Sequence, residues 1–234
     1  MTTSTIQVRG LTGGYARADV IRDIDLDVAA GEVVTLLGPN GAGKTATLLA
    51  LAGELTVRSG EIRLGGTPVS GGLSRRTRRG LGYLPEGRSV FKGLSVRQNL
   101  QLGGGSVKDA LVLAPELERM LGRTAGLLSG GEMQLLSVAR LLAAKPSTIV
   151  VDELSLGLAP MILDRLLGLL IAAAADGAAV LLVEQQATRA LAVADRAYVL
   201  SQGSVVHEGP ADALAADTAL LDRLYFGGTP GIPA

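Results

Sequence analysis

Apolar and polar positions change rhythm several times along the chain, and each rhythm predicts an element. Near the start, Ile6 and Val8, then Ile24, Leu26 and Val28, face one way while Asp23, Asp25 and Asp27 face the other. That period of two predicts an antiparallel, half-exposed pair of strands. Gly13, Gly14 and Tyr15 between them read as a loop. Val33, Val34, Leu36 and Leu37 make a near-continuous apolar run, the pattern of a strand buried on both faces of a parallel sheet, and residues 47–52 then read as a helix. Residues 61–64 with Gly65 and Gly66 predict a strand and a tight turn, and residues 81–84 a short strand running into Pro85, Glu86 and Gly87.

From residue 89 to 145 the chain turns to Leu, Gly and Ala at helical spacing, broken at residues 103–105 (three glycines) and at Pro115, which predicts a small helical insertion. Its last helix opens at Ser129, Gly130 and Gly131, repeats Leu135, Val138, Ala139 and Leu142 at i, i+3, i+4 and i+7, and stops before Pro146. Residues 148–151 and 178–183 are two further buried strands, separated by a helix over 161–175 with Leu163, Leu166, Leu167, Leu170 and Ile171 on one face. Residues 196–200, turning at Gln202 and Gly203 into 204–207, predict a closing hairpin, and the tail from Gly227 (227–234) is expected to fray. The order predicts one α/β domain, residues 1–234.

Composition narrows this reading without redirecting it. With 234 residues and 47% apolar content the chain can fill one sizeable core, and two independent domains are not expected. Lys plus Arg and Asp plus Glu both number 22, so no global basic field steers the protein to nucleic acid or anionic lipid. Cysteine is absent, which removes disulfides and thiolate metal sites and agrees with a reducing compartment. The opening MTTSTIQVRG lacks a basic stretch followed by an apolar one, and the longest uncharged apolar run, 166–175, falls short of the roughly 20 residues of a spanning helix. A soluble or peripheral protein is expected.

The candidate chemistry centres on residues 38–45, GPNGAGKT, between a buried strand and a helix. Gly38, Gly41 and Gly43 let the backbone of Pro39, Asn40 and Ala42 wrap an anion, with N–H groups and the helix start aimed at phosphate oxygens. Lys44 would reach the β and γ phosphates and the Thr45 hydroxyl would hold Mg²⁺, so the loop is expected to bind ATP or GTP. Asp152 and Glu153 end a buried strand: the first can hold the Mg²⁺ shell, the second can orient and deprotonate water. Glu86 sits on a loop at a strand end, where parallel sheets bind ligands. Ser129, Gly130 and Gly131 form either a second anion site or a plain helix cap. Tyr15 can stack on a purine or be an ordinary loop tyrosine. Arg75, Arg76, Arg78 and Arg79 could touch phosphate but more commonly form a solvated helix face, and His207, the lone histidine, reads as structural or exposed.

Taken in order, the phosphate loop, the Pro-Glu-Gly loop, LSGGEMQ (128–134) and VVDE (150–153) resemble the ATP-hydrolysing subunit of an ATP-binding-cassette (ABC) transporter, over residues 6–228. PEGR (85–88), SLGLAP (155–160), VEQ (183–185), ADRAYVL (194–200) and YFGG (225–228) are similar to the branched-chain amino-acid importers. The resemblance implies a P-loop NTPase with a RecA-like parallel core, an antiparallel β subdomain and an inserted α-helical subdomain over 89–145. It implies ATP and Mg²⁺ as ligands, Tyr15 on the adenine, and Lys44, Thr45 and Ala46 at the phosphates. It also implies Asp152, Thr45 and Glu86 at the metal, and Glu153 with Gln185 in hydrolysis. Ser129, Gly130, Gly131 and Glu132 would face nucleotide held by a second ABC subunit, identical or paralogous. Transmembrane permease subunits and, indirectly, an extracellular substrate-binding protein are the implied partners, with the chain on the cytoplasmic face of the membrane and no nucleic acid bound.

Several positions depart from the general family pattern. Glu86 stands for the usual Gln, and Gln185 for the usual His, as in the importer subgroup. Ala46 removes one hydroxyl bond to the α phosphate. Leu154 stands for the usual Pro, which restores one N–H and is expected to loosen the backbone beside Glu153. The alternative is an ATP-gated regulatory or soluble ABC module with weak hydrolysis and no transport role, and the weak hydrolysis of the regulatory form is what those last two positions permit.

Overall fold

The computed structural model describes residues 4–16, 18–87, 89–155 and 157–226. Arg88, Leu156 and the tail from Gly227, each named above, lie outside the described residues. Strands β1 (Ser4–Tyr15) and β2 (Ala18–Ala29) form a hairpin, and β3 (Val33–Leu37) leads into α1 (Lys44–Ala52). Next come β4 (Thr56–Leu64), the two-residue β5 (Thr67–Pro68), α2 (Leu73–Thr77) and β6 (Leu81–Leu84). Helices α3 (Val96–Gln101), α4 (Val107–Leu113) and α5 (Gly130–Ala143) precede β7 (Thr148–Asp152), and α6 (Pro160–Ala175) joins it to β8 (Ala179–Val183). Helix α7 (Ala187–Leu191) leads to the hairpin of β9 (Arg196–Ser201) and β10 (Ser204–Pro210), followed by α8 (Ala211–Ala216) and α9 (Thr218–Phe226).

Two sheets face each other. The larger has the order β10-β9-β3-β8-β7-β6, parallel throughout except for β10 at one edge; the smaller is antiparallel, β2-β1-β4-β5. Because β3, β7 and β8 are five residues long and buried on both faces, they must be covered twice. On one face Ile6, Val8 and Leu26 of the antiparallel sheet, with Leu48 and Leu51 of α1, pack against Val34, Leu36 and Leu181. On the other, Leu136 and Val138 of α5 and Leu166 and Leu170 of α6 cover Val151 and Leu182. The parallel core and the antiparallel sheet expected from the sequence are both present.

A cluster around Arg196 locks the sheets together. Its Nε donates to Glu32 Oε1 at 2.8 Å, its Nη2 to the Asp27 carbonyl at 2.8 Å and its Nη1 to the Tyr198 hydroxyl at 2.7 Å and to Glu208. These partners lie on β2, before β3, and on β9 and β10. The Glu32 bond is the main reason that the guanidinium holds its proton more tightly than usual. Close by, the Gln202–Gly203 turn is wedged between layers: Gly203 N–H donates to the Ala42 carbonyl at 2.9 Å and Arg22 N–H donates to the Gly203 carbonyl at 2.7 Å.

Three expectations need correction. Gly13, Gly14 and Tyr15 are not a loop but the end of β1, where Gly13 pairs with Ile21 and Gly14 with Asp19. The glycines permit close approach of neighbouring backbone, since a Cβ on Gly14 would lie 1.9 Å from the Ala18 carbonyl oxygen. Ile171 is 42% exposed, whereas Leu169 is buried. One helical step of about 100° carries Ile171 beyond the arc that faces the sheet. Among the four arginines, Arg75, Arg78 and Arg79 are exposed as a solvated face would be, but Arg76 is buried. Its guanidinium donates to the Leu51 carbonyl at 2.6 Å, to Ala50 and to Gly71, closing the C-terminal end of α1.

That buried cap predicts a stability effect. Arg76→Met leaves the terminal carbonyls of α1 without their donor and should destabilise the protein by about 2–4 kcal/mol. In a chain of this size the loss is a fall of roughly 5–15 °C in Tm, read by calorimetry, and an unchanged Tm would contradict the capping role.

Candidate active site

Register brings the chemistry to one edge. Leu36 of β3 and Asp152 of β7 both pair with Val183 of β8, so the three strands end level and the residues that follow each emerge side by side. Leaving β3, the chain turns at Gly38, whose φ of 143° and closeness to Leu200 (a Cβ would lie 2.2 Å from its carbonyl oxygen) admit no side chain. The loop ends at Gly43, which has φ 106° and gives α1 no side-chain cap, so the first N–H groups of the helix are available to an anion. Lys44 is buried with its ammonium inside the loop, donating to the Gly38 carbonyl at 2.7 Å and the Pro39 carbonyl at 3.0 Å. Burial lowers its pKa, and the charges of Glu153 and Asp152 oppose that effect.

Asp152 is only 1% exposed. Its Oδ1 accepts a 3.4 Å bond from the Thr45 hydroxyl, and its Oδ2 is buried with no hydrogen-bond partner among the described residues. Burial first, and then the nearby Glu153 and Glu86 charges, push its pKa up to about 6. A carboxylate oxygen lacking a donor, beside a hydroxyl and near a second carboxylate, is a hard-oxygen set that fits Mg²⁺, an ion that normally takes one or two protein ligands and completes its shell with phosphate and water. No cluster of three or more His, Cys, Asp or Glu able to hold a metal unaided occurs among the described residues.

Glu153 has φ 48°, a left-handed conformation that costs a residue with a side chain about 1–2 kcal/mol. It is held there from three sides. Its N–H donates to the Val183 carbonyl at 3.0 Å, its Oε1 accepts from the Gln185 amide at 2.8 Å, and the next N–H, of Leu154, donates to Glu184 Oε1 at 2.9 Å. The expectation that Leu154 loosens this backbone is therefore corrected: the N–H that proline would lack is spent on a buried carboxylate. Gln185 faces Glu153 as its strand position implied, with its amide donating to that carboxylate.

A cavity of about 380 Å³ unites these segments, lined by Tyr15 and Val20 from the antiparallel sheet, Asn40, Gly41 and Gly43 to Ala46 of the loop and helix start, and Glu86, Glu153 and Gln185. Tyr15 is 54% exposed there, and Ala46 offers only a methyl group. Ser129, Gly130, Gly131 and Glu132 do not line it. They form a capping box at the start of α5, in which the Ser129 hydroxyl accepts from Glu132 N–H at 3.3 Å and Glu132 accepts from Ser129 N–H at 2.7 Å. The Ser129 backbone bond is the chief reason that the Glu132 carboxyl titrates low. His207, half-buried on β10, is not among the lining residues either.

Two residues that the sequence reading met only inside the YFGG and VEQ segments were given no role there. Tyr225 on α9 accepts from Gly38 N–H at 3.3 Å through its hydroxyl, a contact between residues 187 positions apart that no local pattern announces. Glu184 is 2% exposed, and a single acid after a buried strand looks like the start of a loop.

Strand, anion loop and helix beside a strand-end Asp-Glu pair define a nucleotide-binding P-loop ATPase. Residues 21–155 match the family described as ABC transporter, and the chain belongs to that family. It is 38% identical over 224 residues to the high-affinity branched-chain amino acid transport ATP-binding protein BraG of Pseudomonas aeruginosa, covering 92% of this chain and 96% of that one. It is 33% identical over 236 residues to the lipopolysaccharide export system ATP-binding protein LptB of Escherichia coli K12, covering 96% and 98%. A solved structure described as the ATP binding subunit of an ABC transporter superposes with TM-score 0.82 at 29% identity, over 95% and 98% of the two chains. The protein is an ABC ATPase that binds ATP, and the family works as paired subunits with transmembrane permeases. Among the described residues no helix is long and apolar enough to cross a membrane.

The raised pKa of Asp152 has a stability cost of known sign. An acid whose folded pKa lies above its unfolded value of 3.8 favours the neutral form in the fold, so its penalty is absent below about pH 4, grows between 4 and 6 and is complete above 6. The shift corresponds to about 3 kcal/mol. Asp152→Asn should raise the nucleotide-free Tm at pH 7.5 by several degrees and leave it nearly unchanged at pH 4. A Tm that does not rise at pH 7.5 would show that the carboxylate is not strained by burial.

Proposed function

We propose that this chain is the ATP-hydrolysing subunit of an importer for branched-chain amino acids or related small polar substrates. It would sit on the cytoplasmic face of the membrane against permease subunits, with an extracellular binding protein delivering cargo from the other side. The observation that carries the reading is the meeting of Tyr15, Lys44, Glu153 and Gln185 in one cavity, with Asp152 close enough to act on the Lys44 charge, in a chain whose relative BraG is named for branched-chain amino-acid transport. LptB supports a second reading, an exporter's ATPase.

In the proposed mechanism Tyr15 stacks on adenine, the N–H groups of residues 40, 41 and 43–46 hold the phosphates, and Lys44 exchanges its carbonyl partners for β and γ oxygens. Asp152, Thr45 and Glu86 would hold Mg²⁺, which would supply positive charge to offset that of the phosphates. Glu153, steadied by the Gln185 amide, orients a water and takes its proton as the water oxygen bonds to the γ phosphorus and the bond to ADP breaks. Ser129, Gly130, Gly131 and Glu132 complete a second subunit's site from across a head-to-tail dimer, which accords with their standing apart from the cavity of their own chain. Residues 89–145 act as the inserted unit that carries them.

Reconstitution with the permease proteins that coelute from native membranes tests transport. ATP-dependent uptake of labelled leucine into proteoliposomes is expected with the unaltered chain. Glu153→Gln should still bind ATP, accumulate an ATP-bound dimer and lose at least about a hundredfold in turnover and uptake. Turnover near normal removes Glu153 as the base, and cargo moved only outward favours the exporter.

The trans arrangement has its own test. Ser129→Arg and Lys44→Ala proteins, each inactive alone, should regain about one working site in two when mixed, and a mixed dimer shown to form yet remaining inactive would exclude it.

A further inference from the structure

The ends of β7 and β8 are joined by three successive rungs. In the first, Glu153 N–H donates to the Val183 carbonyl at 3.0 Å, and in the last the Gln185 amide donates to Glu153 Oε1 at 2.8 Å. The middle rung is Glu184. Its Oε1 accepts from Leu154 N–H at 2.9 Å and from Ser155 N–H at 3.1 Å, and its Oε2 accepts from the Ser155 hydroxyl at 2.6 Å. All three donors belong to the two residues that follow Glu153.

A buried carboxylate costs stability unless its hydrogen bonds return it, and here every bond among the described residues falls on one short stretch. That stretch continues from Glu153, whose φ of 48° is a conformation the chain relaxes from when it is free to do so. Burial pushes the pKa of Glu184 up and its Ser155 and Leu154 bonds pull it back. The phosphate loop is not among its partners, so its influence reaches the chemistry through Glu153 and not through nucleotide binding.

We infer that Glu184 is a positioning residue for hydrolysis: by accepting from Leu154 and Ser155 it fixes the backbone that carries Glu153 in its left-handed turn, so that the Glu153 carboxylate and the Gln185 amide stay aligned over the cleft. The inference rests on the reading of Glu153 as the water-orienting base. Glutamine at position 184 keeps the geometry, because its carbonyl oxygen replaces Oε1 and its amide donates to a Ser155 hydroxyl that turns to accept. Alanine leaves the buried Leu154 N–H and the part-buried Ser155 N–H without their acceptor and frees the turn.

The experiment compares steady-state hydrolysis, KM for ATP and nucleotide binding for Glu184→Ala, Glu184→Gln and Ser155→Ala, each also in a Glu153→Gln background. Glu184→Ala should lower kcat about ten- to a hundredfold with KM and ATP affinity within about twofold, Glu184→Gln should recover kcat to within about threefold of normal, and Ser155→Ala should lose about two- to fivefold. In the Glu153→Gln background the further loss from Glu184→Ala should shrink to less than about twofold, since the group it positions is gone. A Glu184→Ala protein with normal kcat, one whose ATP affinity falls in step with kcat, or one whose full loss persists beside Glu153→Gln overturns the inference. If Glu184→Ala does not fold, Ser155→Ala decides alone: a loss confined to kcat that vanishes beside Glu153→Gln supports the role, and no loss removes it. Near-normal turnover of Glu153→Gln by itself would instead overturn the underlying reading of Glu153.

Discussion

Charged groups must be collected at one place without being buried unpaired, and the level ending of β3, β7 and β8 is what makes that possible. Each strand is five residues long, buried throughout and covered on both sides, so no charge can stand within it until the last position. Asp152 takes that last position, while Lys44, Glu153 and Glu184 follow within a few residues of a strand end, where loop backbone supplies donors and acceptors that a sheet interior has already spent. Moving one strand by a residue would put Asp152 into the apolar core or Glu184 out in water. The fold's hydrophobic register and the site's chemistry are the same constraint seen from two sides.

This explains which parts were legible in the amino-acid sequence. Runs such as Val33 to Leu37 and the repeat of Leu135, Val138, Ala139 and Leu142 carry their burial in their own spacing, and the parallel core and α5 follow from them. The anion loop is equally local, because eight consecutive residues supply the turn, the cation and the hydroxyl. What sequence pattern did not carry was every contact made at long range. Arg76 looks like one of four surface arginines until α1 is placed beside it, and Leu154 looks like a loosened proline site until Glu184 accepts its N–H. The misread Gly13 and Gly14 are a related case: glycine signals both loops and close approach, and only the neighbouring Ala18 and Thr56 backbones decide between them.

The buried charges divide by how they are compensated. Arg76 is surrounded by helix-end carbonyls and serves stability alone, and the less deeply buried Arg196 meets carboxylates, a carbonyl and a phenol and serves the joining of two sheets. Asp152 is compensated least, with one long bond from Thr45 and one oxygen lacking any donor among the described residues. An incompletely compensated buried charge is where a protein sets stability against readiness to bind, since a cation arriving there removes a cost already present in the fold.

The Gln202–Gly203 turn has a geometric consequence. Through Ala42 it touches the loop that surrounds Lys44, and through Arg22 it touches the strand that pairs with the one ending in Tyr15. With Arg196 bracing the same two layers, the span from the tyrosine ring to the lysine ammonium is set by hydrogen-bonded backbone rather than by a hinge. The turn works as the spacer of a caliper, and, with the base placed on Tyr15 and the phosphates on Lys44 as proposed, a caliper with a fixed opening would admit molecules by length: a base and the far end of its phosphate chain would touch both jaws together only when the distance between them matches.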